Sequence, residues 1–247
     1  MPSTPMDAAH TIRDAVARVA TLRDETAADA TRHDAVAAVK RFQAKRFTRT
    51  YADILSNGPF QGAARFFVEE LYSDRDFSQR DAQFSRIAKA LQTFFPKHVV
   101  ATAVALAQLH ALTEEIDHEM GRAWLAPAAD NPDTSEALHY VAAWRAVGRR
   151  EDRVLQLSQV LAVGQELDRL TRAPGLRMML KMMRRPAHAA GLSSLQAFLE
   201  TGFDTFAEMS GRGEGARQFL ALIQTRESAL IEALFSADPA ESIASLG

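Results

Sequence analysis

Apolar residues recur three and four positions apart along almost the whole chain, and no stretch alternates apolar with polar residues over a useful length. A period near 3.6 places apolar side chains on one stripe of a helix, whereas a period of two would line one face of a strand. Tyrosine is rare, valine is scattered, and Ala, Leu and Arg dominate. The expectation is all-α: one compact multi-helix bundle of about nine helices over residues 1–247, with 1–6 and 237–247 frayed and a loop near 126–133. A chain of 247 residues is long enough for a sizeable core, and 47% hydrophobic against 24% charged residues is the balance of a soluble globular protein.

Charge and cysteine content narrow the function classes. The formal charge of −2 gives no global basic excess, so nucleic acid is not expected as a partner. With no cysteine, disulfides, thiolate nucleophiles and thiolate metal ligands are excluded, which suits a reducing cytosol. The first twenty residues carry charges at Asp7, Arg13, Asp14 and Arg18 and lack the apolar run of a signal peptide. The uncharged stretch 98–113 is too short to span a bilayer, so no transmembrane segment is expected and the protein reads as cytoplasmic.

Punctuation residues divide the pattern into helices near 7–24, 27–55, 61–72, 78–95, 96–124, 134–172, 176–185, 193–209 and 216–235. Ser78 with Asp81 and Ser193 with Gln196 have the spacing of capping boxes, and Asp133 with Glu136 marks a third helix start. A break is expected near "VGRRED", and Pro186 should close the helix before it.

The stretch "LHALTEEIDHEM", residues 109–120, concentrates groups able to bind a metal or move a proton. At ~100° per residue, Asp117 falls about 20° from His110 and Glu114 about 40° on its other side. Those two flank the apolar stripe of Leu109, Leu112, Ile116 and Met120, with Glu114 beside them, while His118 points toward water. His110, Glu114 and Asp117 are therefore candidate metal ligands, weighed against an ordinary histidine–carboxylate contact at a core edge. Outside that stretch one E-x-x-H occurs, Glu136 to His139, beside the loop at a helix start.

Two other clusters stand out. "FFVEELYSDRDFSQRD" sets aromatics around a turn rich in acids and arginines, with Glu70 and Tyr72 as candidate pocket-rim groups or else as parts of a rigid corner. "LRMMLKMMRRPAH" places Arg177, Lys181, Arg184 and Arg185 on one side and Met178, Met179, Met182 and Met183 on the other. Either the methionines fill the core and the cations are solvated, or this segment recognises an anion, an acidic protein or an acidic membrane surface. No phosphate-binding, zincin, hydrolase or dinucleotide motif is present.

Taken together, "RTYADILSNGPFQGAARFFVEELYSDRDFSQRDAQFSRI", "LHALTEEIDHEM" and "LRMMLKMMRRPAHAAGLSSLQAFLETGFDTFAEM" resemble a group of uncharacterised bacterial all-helical proteins with an F-F-x-x-[ED]-L-Y-x-x-x-D-F motif. Ser73 stands where glycine is usual in that group. The resemblance implies a cytoplasmic bacterial protein and a shared helical fold, and brings no activity, cofactor or catalytic residue with it. The expected function is a binding or regulatory helical module using the basic Met-rich helix. The alternative is a metal- or cofactor-dependent helical-bundle enzyme centred on His110, Glu114 and Asp117. The expected partners are a second copy in a homodimer, an acidic protein or a small anion.

Overall fold

The computed structural model describes residues 5–56, 58–71, 77–125, 135–211 and 213–246. Among the described residues every regular element is helical and there is no strand. The order is α1 (Pro5–Ala27), α2 (Ala30–Thr50), α3 (Ala52–Ser56), α4 (Gln61–Phe66), a π-helical turn (Phe67–Leu71), α5 (Ser78–Phe94), α6 (Lys97–Trp124) and α7 (Glu136–Val147). It continues with α8 (Arg150–Thr171), α9 (Leu176–Met182), α10 (Arg184–Ala189), α11 (Ser193–Ser210), α12 (Gly215–Ser236) and α13 (Pro239–Ser245). The expected loop near 126–133 lies outside the described residues.

The helices are more numerous than the periodicity suggested, because short breaks do not disturb an apolar stripe. Tyr51 ends α2 and α3 follows at once, so the expected 27–55 helix is two. The break near "VGRRED" falls at Gly148 and Arg149, both with positive φ, between α7 and α8. Pro186 does not end a helix. It lies in the first turn of α10, where a missing N–H costs nothing.

Caps are partly where the sequence placed them. Ser135 caps α7 by accepting the Leu138 N–H, while Asp133 lies outside the described residues. The residues that precede α5 and α11, Phe77 and Leu192, give no side-chain cap, so neither Ser78 nor Ser193 stands at the cap position the sequence suggested. Asp81 is turned to His110 instead, and Gln196 donates to the Leu180 carbonyl and to Glu200. The tail expected to be frayed is α13, capped by Asp238 through the Glu241 N–H and opened by Pro239. Leu246 beyond it is 1% exposed.

The chain divides into two compact units. The first comprises Met1–Ala20, Arg75–Ala111 and Gln159–Leu220, the second Thr21–Asp74, Leu112–Ser158 and Ala221–Gly247. In the first unit Ala9, Ile12, Ala88 and Ala107 form a core cluster ringed by Ala15, Phe84, Ala103 and Val104. Its small residues let α1, α5 and α6 approach closely, and the Ala9 N–H donates to Gln92 on α5. α11 packs on α5, and α9 and α10 pack on α11. In the second unit Val39, Phe42, Ile116, Met120, Tyr140, Trp144, Leu230 and Leu234 meet in one core, with Phe42 stacked on Tyr140 at 4.4 Å. Each such side chain contributes about 1.5–3 kcal/mol through burial. By length and composition α6 alone among the described helices could cross a membrane, but its C-terminal part carries the ionic groups described next.

Candidate functional site

The acidic half of α6 is held by side chains from its neighbours. His110 Nε2 lies 2.9 Å from Asp81 Oδ2. A carboxylate only accepts, so Nε2 carries the proton and Asp81 fixes the ring's tautomer and plane. Asp81 is buried and the His110 side chain is 25% exposed. This is an oriented imidazole with an acidic neighbour, at the core edge where the helical arithmetic put it.

Glu114 and Asp117 have other partners. Lys40 Nζ donates to both Glu114 oxygens at 2.9 Å, and Arg23 donates to one at 3.1 Å. Gln43 donates to Asp117 at 3.0 Å. Asp117 is 5% exposed, and burial pushes its carboxyl above the usual carboxylate range against the pull of Lys40. His110 belongs to the first unit and Glu114 and Asp117 to the second. Among the described residues no three His, Asp or Glu side chains are grouped to hold a metal. Asp81 thus holds His110, Lys40 and Arg23 hold Glu114, and Gln43 holds Asp117.

His118, expected in water, is buried at 8% because α1 covers that face. Thr26 spends its one hydroxyl hydrogen on the Leu22 carbonyl, so its oxygen accepts from His118 Nδ1 at 3.1 Å. On the far side of α6, Glu119 and Glu115 meet Arg149, whose Nε also donates to Asp152 at 2.6 Å. Those carboxylates offset the positive φ of Arg149, a conformation that costs a non-glycine residue about 1 kcal/mol. His139 of the Glu136–His139 motif stacks on Trp124 at 4.1 Å, and Glu136 pairs with Lys45 at 3.5 Å.

Of the pocket-rim pair, Glu70 is half-buried on the π-helical turn, and Tyr72 lies outside the described residues. Sequence reasoning missed Arg80 as an aromatic-held group: its guanidinium sits over Phe77 at 3.9 Å and Phe198 at 4.4 Å. It also missed a buried pair in the second unit, where Arg46 donates to Glu227 at 2.6 Å and the Tyr51 hydroxyl to the same oxygen at 2.8 Å. Local spacing holds no signal for partners this far apart in the chain.

The basic Met-rich segment has its methionines outward. Met178 is 68% exposed, Met182 70%, Met183 41% and Met179 40%. The half-buried Leu176 and Leu180 of α9 and the buried Ala187 of α10 take the inward positions. Leucines four apart claim one stripe, and Met178 and Met182 then fall on the opposite side. Gly175, at φ +78, turns the chain into α9, and Gln196 of α11 ties down the Leu180 carbonyl. Arg177 pairs with Asp204 at 2.8 Å, and Arg184 Nε reaches both Glu200 oxygens at 2.8 and 2.7 Å. That pairing holds the Glu200 carboxyl below its usual range. A groove is lined by Gly175, Arg177, Met178, Lys181 and Met182.

The family model described as "Domain of unknown function (DUF8198)" matches residues 22–241. The chain belongs to that family. The match takes in all three stretches that carried the resemblance to uncharacterised helical proteins. No curated protein and no solved structure matches the chain.

Proposed function

We propose that the protein is a non-enzymatic binding module, soluble and cytoplasmic, that docks a partner on the outward face of α9 and α10. One observation carries this reading: four methionines on consecutive turns stand 40–70% exposed while Leu176 and Leu180 face inward. Scattered apolar residues are normal on a surface, but a clustered patch is a liability unless something covers it. Methionine suits such a surface, because its unbranched thioether adapts to differently shaped partners. The enzymatic alternative has less behind it, since Glu114 and Asp117 are occupied by Lys40, Arg23 and Gln43.

Site-specific photo-cross-linking tests the reading. A photoreactive side chain at position 182 should give one discrete cross-linked species in the producing cell, and Met178→Glu should abolish it without lowering the melting temperature. A cross-linker at 182 that yields only the uncoupled chain overturns the proposal.

A further inference from the structure

The charges around the methionine face say what could cover it. α9 and α10 carry Arg177, Lys181, Arg184 and Arg185 and no acidic residue. Arg177 and Arg184 are paired to Asp204 and Glu200 of α11. Lys181 and Arg185 are exposed, and among the described residues neither has a carboxylate within ion-pair distance. Lys181 shares its groove with Met178 and Met182, so an unpaired cation sits at the edge of the exposed thioethers.

Resting on the docking reading above, we propose that the occupant is an acidic amphipathic helix of a partner protein. Its apolar side chains, three and four residues apart, lie on Met178 and Met182, and its flanking carboxylates meet Lys181 and Arg185. A second copy fits poorly, because face-to-face pairing would oppose two sets of cations with no acid on either α9 or α10. A lipid surface fits poorly as well. Interfacial helices present a continuous apolar face with Trp, Phe or Leu, whereas these two have seven and six residues and an outward face of methionine without aromatics.

Methyl-labelled methionine gives the readout. The protein is titrated with a synthetic helix of Leu, Ala and Glu, with matched helices carrying Gln or Lys in place of Glu, and with phosphatidylglycerol vesicles. The acidic helix should shift only the methyls of Met178, Met179, Met182 and Met183, and should bind about tenfold more tightly than the Gln helix, as expected for two rim ion pairs. Lys181→Glu with Arg185→Glu should transfer the preference to the Lys helix. Equal binding of the Gln and Glu helices at these methyls overturns the acidic partner and leaves the docking face standing. Shifts produced by vesicles but by no helix overturn a protein partner. If no probe moves these methyls the inference fails, and the docking reading is then decided by the cross-link at position 182.

Discussion

At the residue scale the largest single commitment is Glu227. It accepts from Arg46 and Tyr51, and the Arg46 and Glu227 side chains are 7% and 11% exposed. Glu227→Ala removes the buried carboxylate that both donors share, so it should lower unfolding free energy by about 3–5 kcal/mol in denaturant titrations. A loss below about 1 kcal/mol would mean the pair is solvated in solution. Asp117 sets a pH dependence of opposite sign to the usual carboxylate. Its folded-state affinity for a proton is raised by burial, so the folded chain binds more protons than the unfolded one above the ordinary value of 3.8, and stability falls as pH rises through that window. Asp117→Asn should therefore flatten the fall in melting temperature between acidic and neutral pH, and an unchanged pH profile would refute the assignment. His110 was legible as a boundary residue because helical arithmetic fixes faces. Its partner was not, because Asp81 looked like a capping residue and only three-dimensional packing turns it to α6. The partners of Glu114 and Asp117 were not legible either: Lys40, Arg23 and Gln43 come from other helices and donate to these carboxylates.

At the scale of elements, the sequence located the helices and the break at Gly148 and Arg149, but not every break or every inward side. In α9 the expected apolar face was the methionine side, and Leu176 and Leu180 took the inner stripe instead. A short helix with apolar residues on two faces leaves that choice to its neighbours, here α11. The crossing of α2 and α6 makes a sharper prediction. A Cβ at Gly121 would overlap Val36 Cγ2 and lie 3.2 Å from the Val36 backbone. Alanine would gain about 1 kcal/mol of helix propensity but force the two backbones apart, an overpacking cost of about 1–3 kcal/mol. Gly121→Ala should thus lower the melting temperature, and a stabilised variant would contradict the crossing. The C-terminal helix was missed although Asp238, Pro239 and Glu241 carry the spacing of a helix start, and tertiary bonds hold it in place. Arg145 donates to the Leu234 and Ala237 carbonyls, closing the end of α12, and Ser242 donates to the Ala233 carbonyl.

At the scale of the whole molecule, the helical class was legible because no segment offers a strand period and nothing in the composition supports another framework. The two units were not legible, since each is assembled from three stretches that interleave along the chain. With the candidate ligands engaged by Asp81, Lys40, Arg23 and Gln43, adding iron, manganese or zinc should leave the melting temperature unchanged, and a rise in proportion to metal would support the metal reading instead. The central claim, that α9 and α10 present a face made to be covered, is tested most directly by hydroxyl-radical footprinting of the methionines in the purified protein and in intact cells. The account predicts fast oxidation of Met178 and Met182 beside protected Met120 and Met209 in the purified chain, and selective protection of Met178 and Met182 in the cell. Equal labelling of Met178 and Met182 in both settings would show that nothing docks there.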